Sequence, residues 1–350
     1  MEVIFSKEDF KLCNLPVPKG YPYSQTHAGV AYSKQGIGGC HWFVVSSPYP
    51  NPKRNVLERG FRFLSRKILG IKYKPSDWYE NPMLYFGDTI SEPPTVFAPY
   101  HYNPLMVTPD DVYGLGAFNS DPDIYIKDNT IFVLNRSVTR RKTEKGVLEY
   151  LTSIFLIQLS FKENEFETLP PVHLFDYENV NASPSLVYYK NKYRIFSLVT
   201  SSYNTGEPCE YAEMRESSSI EGPYDTVSRI HIKTNRYQPW HFSVFEYNGT
   251  LYSIVSCIKD QERQRCYQML GQFSDDLREL EVYQLPLTDM RSYRGDAVVL
   301  PDGTFVLYTS IIEPFPGSFS VDGRDILTVS KSFESILNEL KEYEKKSIGL

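Results

Sequence analysis

Five stretches of this chain repeat one form, and that repetition limits its folding more than any other feature. Each runs from a polar or proline-containing start through a short apolar strand and a tight turn into a second strand. They read THAGVAYSKQGIGGCHWFVVSS, NSDPDIYIKDNTIFVLNR, NASPSLVYYKNKYRIFSLVT, QPWHFSVFEYNGTLYSIVSC and YRGDAVVLPDGTFVLYTS. The turns fall at Gly38-Gly39, Asp128-Asn129, Lys190-Asn191-Lys192, Asn248-Gly249 and Asp302-Gly303. Asn-Gly and Asp-Gly between strands are strong hairpin signals, because both central residues must take positive φ.

The starts near Asp121, Ser183, His241 and Asp296 recur at intervals of 62, 58 and 55 residues. The interval from His27 to Asp121 is 94 residues, one repeat plus an insertion of about 30. Each repeat has room for a third and fourth strand, as in VLEYLTSIFLIQLS, EYAEMRESSS, QRCYQMLGQFS and GRDILTVSKS. Four strands per radially repeated unit make a propeller blade. The expected fold class is therefore all-β, a five-bladed β-propeller spanning about residues 20–335 within one domain, 1–350. A β-sandwich also alternates strands and turns, but gives no reason for five matching hairpins.

Two segments stand outside the repeat. Residues 51–77 carry eight Lys or Arg, and Leu57, Phe61, Leu64 and Ile68 fall at helical spacing there. This basic insertion in blade one reads as a loop helix packed on the blade. Contact with a protein, an anionic polymer or a membrane through 54–74 is the competing use. Residues 331–346 form a C-terminal helix, with Phe333, Ile336, Leu337 and Leu340 on one apolar face.

Composition supports the strand-rich reading. Aromatics reach 15%, with 27 Tyr and 21 Phe, alongside 24 Pro and 20 Gly, which favour strands and turns over helices. The net charge of -6 argues against a nucleic-acid binder, which needs a concentrated positive field. No apolar run approaches the length needed to cross a bilayer, and the first residues lack a signal-peptide pattern. Five scattered cysteines without a CxxC pair read as free thiols in a reducing compartment. A cytoplasmic or phage-particle location is expected ahead of secretion.

The innermost strands of a propeller line its central channel, so residues that begin each blade should converge at one mouth. That set is His27; Asp121 and Asp123; Ser183 and Ser185; Trp240 and His241; Arg294 and Asp296. Pro122 is expected to hold Asp121 extended, so that strand alternation puts Asp121 and Asp123 on one side. Paired inward carboxylates suit acid–base chemistry. Trp240 offers a flat face for a sugar ring, and His241 a donor or a proton carrier. Arg294 can clamp an anion or pair with Asp296. Trp78 and Glu80, in WYENP, are expected to fold over the mouth, with Glu80 a reserve acid. Each of these residues has a structural rival role as a turn former, cap or core group.

The polar blade starts, Asp121-Pro122-Asp123 and the Glu221-Gly222-Pro223-Tyr224 turn resemble the five-bladed propeller superfamily of arabinanases, β-xylosidases, invertases and levansucrases. THAGVAY, SSPYPNP, WYENP, NSDPDIY and PWHF are similar to a glycosidase-like branch found in bacterial genomes and phage particles. The resemblance implies three acids at the channel: a base or nucleophile from blade one, a tuning aspartate from blade two and an acid from blade three. Acid and base stand about 6.5–9.5 Å apart for inversion and roughly 5–5.5 Å for retention. Blade two matches through Asp121 or Asp123, but blade one offers His27 and blade three offers Ser183 and Ser185. The implied catalytic set is thus Asp121, Asp123, His27 and Glu80. Trp240, His241, Arg294, Asp296, Ser185 and Trp78 are expected to bind substrate. No metal set or organic cofactor is expected, although a structural Ca²⁺ on the axis, as in some relatives, would take oxygens from Asp121 or Asp123. The partner is an oligo- or polysaccharide. Three functions follow: glycoside hydrolase, non-catalytic glycan binder and protein-interaction scaffold.

Overall fold

The computed structural model describes residues 2–18, 24–48, 80–106, 118–142, 148–177, 180–200, 211–234, 237–259, 266–320 and 323–347. The basic insertion 51–77, Trp78 and Cys209 lie outside the described residues. The fold is all-β, built from several sheets, with a C-terminal helix.

Five antiparallel units follow the five sequence repeats. The first consists of Gln25–Ile37, Cys40–Pro48, Met83–Gly87 and Ala98–Pro99. In the second, Phe118–Lys127, Thr130–Lys142 and Leu148–Lys162 are joined by Glu165–Thr168 and Val172–Tyr177, which both pair with the third strand. Val180–Tyr189, Lys192–Thr200, Tyr211–Ser217 and Thr226–Lys233 make the third. The fourth comprises Tyr237–Tyr247, Thr250–Lys259, Cys266–Phe273 and Glu279–Val282. Thr288–Val299, Thr304–Ile311 and Ile326–Ser332 begin the fifth, whose outer strand comes from the other end of the chain: Lys11–Cys13 pairs antiparallel with Ile326–Ser332.

Three of the five expected turns take positive φ at two successive residues, Gly38 and Gly39 among them, whereas at Asp128-Asn129 only Asp128 does and at Asp302-Gly303 only Gly303. Lys190 and Asn191 both take positive φ (47° and 61°), as do Asn248 and Gly249 (49° and 76°), so each two-residue turn matches the twist of its strands. The first strand of each unit packs against those of the preceding and following units, and that of the fifth against that of the first. Apolar clusters fill the spaces between neighbouring units: Phe242, Val255 and Met269 pack with Phe196 and Leu198, and Val133 and Leu159 with Phe43 and Val45. The helix covers Phe333–Ser347 and buries Phe333, Ile336 and Leu340 against the fifth unit. Phe333 stacks on Phe305, with ring centroids 5.5 Å apart and 12° between the planes. Cys13, Cys257 and Cys266 are buried free thiols and Cys40 is a half-buried one. No helix among the described residues is long and apolar enough to cross a membrane.

Candidate active site

The first strand of every unit carries a bulge at the same level. Pairing jumps from Thr26 to Gly29, Ser120 to Asp123, Ala182 to Ser185, Pro239 to His241 and Ser292 to Gly295. Extra residues inserted into a strand leave the ladder and bend it, which re-aims their side chains. The residues opening the first three bulges, His27, Asp121 and Ser183, have φ of 56°, 51° and 52°. A side chain in that left-handed region costs about 1–3 kcal/mol, so three such residues at one level mark a place where orientation is maintained at the expense of stability.

The expectation that Pro122 keeps Asp121 extended is therefore corrected: Asp121 is left-handed, and the bulge breaks the alternation that would have put it beside Asp123. The two aspartates take different neighbours. Asp121 Oδ2 accepts from Arg136 Nη2 at 2.9 Å and from the Ser183 backbone N–H at 3.1 Å. Its Oδ1 turns to the histidines, 3.1 Å from His27 Nε2 and 3.6 Å from His241 Nδ1. Asp123 accepts from Arg294 Nη2 at 3.2 Å and from the Leu186 N–H at 2.8 Å.

His27, Asp121 and His241 come from three different units, and one potential ligand atom from each lies within 4.8 Å of the others. All three are buried. Among the described residues, His27 Nε2, His241 Nε2 and Asp121 Oδ1 have no hydrogen-bond partner, although His27 Nε2 and Asp121 Oδ1 are only 3.1 Å apart. Two ligands each about 2.1 Å from one ion stand about 3.0–3.4 Å apart for angles between square and tetrahedral. The arrangement is thus a buried partial triad of catalytic or metal-ligating type. Two imidazoles and a carboxylate suit a divalent transition ion. They do not suit Ca²⁺, which takes six to eight oxygens, and Asp123, paired with Arg294, gives no second oxygen to the set.

Glu80 stands at the edge of this cluster, its Oε2 4.0 Å from His27 Nδ1, with 15% of its side chain exposed. Its position follows from Asn81, whose side chain accepts from Asn119 of the second unit at 2.9 Å. Burial, reinforced by the charge of Asp121, pushes the Glu80 carboxyl up to about 8. Burial also acts to raise Asp121, but the Arg136 guanidinium outweighs it and holds this carboxyl ionised. Burial pushes His241 down to about 4 and His27 well below its ordinary value, so both rings are neutral and can act as ligands.

Tyr293 opens the fifth bulge and packs its ring 5.0 Å from that of His27 and 4.5 Å from that of His241. The half-buried Trp240 occupies the fourth bulge and meets His241 edge-on at 5.9 Å. Sequence reasoning missed Tyr293 and named Arg294 and Asp296, the chemically richer residues just after it. Its signal was position: it is the fifth-unit counterpart of His27, Asp121 and Ser183. Arg136 was missed as well, since it comes from a second strand.

Arg294, Asp296, Ser185 and Asp123 make their bonds between units, and the Arg294 charge also acts on His27, Asp121 and His241. Arg294 is fully buried, donating to the Pro122 and Pro184 carbonyls and to Asp123. Asp296 accepts from the Val30 N–H at 2.8 Å, and Ser185 Oγ accepts from the Val244 N–H at 2.9 Å while donating to Asp123. These groups bond the backbone or side chains of neighbouring units, the structural role that their sequence positions also allowed. Glu221 lies in the turn before Thr226–Lys233, as its sequence suggested.

No protein-family model matches this chain, and no curated protein matches it in sequence. Solved structures do. An N-acetylgalactosamine deacetylase from F. plautii, in complex with blood group B trisaccharide, superposes with a TM-score of 0.67 at 14% identity, over 91% of this chain and 92% of its own. A xylan beta-1,4-xylosidase from Bacillus halodurans gives 0.58 at 12% identity, over 88% of this chain and 53% of the xylosidase. An endo-arabinase from Bacteroides thetaiotaomicron gives 0.54 at 9% identity, over 88% and 94%. At these identities the likeness shows the fold alone: the chain has the all-β architecture of GH43-like five-bladed β-propeller glycosidases and of the deacetylase.

Proposed function

We propose that this chain is a single five-bladed β-propeller whose His27–Asp121–His241 cluster hydrolyses an acyl substituent on an oligo- or polysaccharide. The observation that carries the reading is the convergence of three buried polar groups with unpartnered atoms, two imidazoles and an ionised carboxylate, at the level where all five units bulge. A divalent transition ion held there would acidify a water molecule and polarise an acyl oxygen. Asp121 brings charge to this point through Oδ1 while Arg136 and the Ser183 N–H anchor Oδ2. Glu80, at the open edge with its carboxyl pushed up to about 8, is protonated at neutral pH and suited to give its proton to the departing amine or hydroxyl, while the proton lost by the acidified water passes to solvent. Water then adds to the acyl carbon, the C–N or C–O bond breaks, and a free acid leaves. Trp240 and Tyr293 supply aromatic walls for the sugar. The likeness to a deacetylase that acts on amino sugars supports an acyl bond as the target.

A second reading keeps the same glycan and cleaves a glycosidic bond, with Glu80 as acid and Asp121 as base. It is favoured by the opposite shifts of these two carboxyls, and disfavoured by the serine at the third bulge, where no acid completes the usual set.

Purified protein incubated with acetylated and unsubstituted pentose and hexose oligosaccharides, with and without a chelator, separates the readings. Acetate released in a chelator-sensitive, Zn²⁺- or Mn²⁺-restored manner is expected, with Asp121→Asn lowering the rate at least about a hundredfold in a folded protein. New reducing ends insensitive to chelation would instead establish the glycosidase. Retention of a glycan without either product would make this a binding protein and overturn both.

A further inference from the structure

We propose that the Thr26 and Ser47 hydroxyls are positioning groups that lock His27 in the Nδ1–H tautomer, so that Nε2 keeps a free lone pair beside Asp121 Oδ1. The inference rests on the metal reading of the site above. Ser47 Oγ lies 3.0 Å from His27 Nδ1, and Thr26 Oγ1 lies 3.3 Å from the same nitrogen. Thr26 is the residue whose proton can be followed. Its hydroxyl donates to the Ser47 carbonyl at 3.1 Å, which uses its only hydrogen. Toward His27 it can only accept, and a nitrogen that donates must carry the proton. On this bonding of Thr26 we assign the proton to Nδ1, shared between the two hydroxyl oxygens, and leave Nε2 bare.

The rest of the geometry agrees. Were the proton on Nε2, it would be a buried donor with no partner, 3.1 Å from a carboxylate oxygen it fails to reach at a bonding angle. A bare Nε2 3.1 Å from Asp121 Oδ1, with its lone pair directed beside that oxygen, is instead suited to share one cation with it at a point off the line between the two atoms. The device is built into the sheet. Thr26 and Ser47 are paired across the first two strands of the first unit, immediately before the bulge that swings His27 inward, and both are fully buried. Ligating histidines generally donate their second nitrogen to such a fixed acceptor, and loss of that acceptor weakens metal binding about ten- to a hundredfold. A third hydroxyl, Ser183 Oγ, lies 2.6 Å from His241 Nδ1, which here is the nitrogen 3.6 Å from Asp121 Oδ1.

The test is nitrogen-15 NMR of the histidine rings in the metal-free protein, followed by Zn²⁺ titration calorimetry of wild type, Ser47→Ala, Thr26→Val and the double variant that combines them. Expected are an Nδ1–H signature for His27 and Zn²⁺ affinity about ten- to a hundredfold weaker in the double variant, with an unchanged cooperative melt. An Nε2–H signature in wild type, or equal affinity in all proteins, would overturn the positioning role. Should the double variant fail to fold, the wild-type tautomer and the Thr26→Val titration still decide. Wild type that binds neither Zn²⁺ nor Mn²⁺ would defeat the metal reading itself, an outcome distinct from the wrong tautomer in a protein that does bind.

Discussion

A strand residue gains access to a central site here by leaving its strand. His27, Asp121 and Ser183 spend conformational energy in the left-handed region, and the direction of their side chains follows from that distortion rather than from strand alternation. This explains what could be read from the letters. His27, Asp121 and His241 were identifiable because polar residues at five equivalent starts must face something in common. Their assembly into one triad was hidden, because a bulge shifts which neighbour shares a side. Asp123 and Arg294 illustrate the same point in reverse, standing beside the site in sequence yet bonded between units in space. Trp240 carries a prediction at this scale. Replacing it with alanine should weaken binding of a bound oligosaccharide by about 1 kcal/mol, roughly fivefold in Kd, by losing an aromatic face. Calorimetric titrations indistinguishable from wild type would assign the ring to the wall of the fold alone.

At the level of elements, hairpins and helix were legible and the outermost strands were not. Alternating apolar residues around Asn-Gly or two-residue polar turns determine a hairpin locally. The C-terminal helix likewise announces itself by a continuous apolar stripe, and the predicted 331–346 differs from Phe333–Ser347 by only a residue or two at its ends. Lys11–Cys13 has three residues, too few for any period, and its partner lies more than 300 positions away at Ile326–Ser332. Nearby, Phe5 stacks on Phe305, which in turn stacks on Phe333, so both chain ends meet in one aromatic core. Phe245 and Tyr252 close around the same ring. Phe333→Ala should cost about 3–5 kcal/mol through the cavity it leaves, since the rigid sheet beneath cannot collapse into it. Urea unfolding read by intrinsic fluorescence measures this directly, and a loss below 1 kcal/mol would mean that the helix is only loosely applied.

The whole molecule depends on bonds that run from one unit to the next beside the site. Asp123 accepts from the third unit, Ser185 from the fourth, Ser243 donates to the Gly295 carbonyl of the fifth, and Asp296 accepts from Val30 of the first. Arg294 is the cation of this belt, reaching Asp123 and the carbonyls of Pro122 and Pro184 across two units. Burial raises both carboxyls, and the charge of Asp296 raises Asp123 further, so these two acids resist being ionised together while Arg294 opposes the rise. Arg294→Met keeps much of the bulk and removes the charge. It leaves Asp123 without its counter-ion and two carbonyls without their donor, a loss of about 3–5 kcal/mol by analogy with other broken buried pairs. Because the belt also sets how the first strands of all five units stand to one another, the same substitution should loosen the triad that those strands carry. Denaturant melts and Zn²⁺ titrations on one Arg294→Met preparation test this together. Reduced stability with undiminished metal affinity would show that the bulges hold the site without help from the belt; loss of both would tie the geometry of the site to the way the five units are bonded.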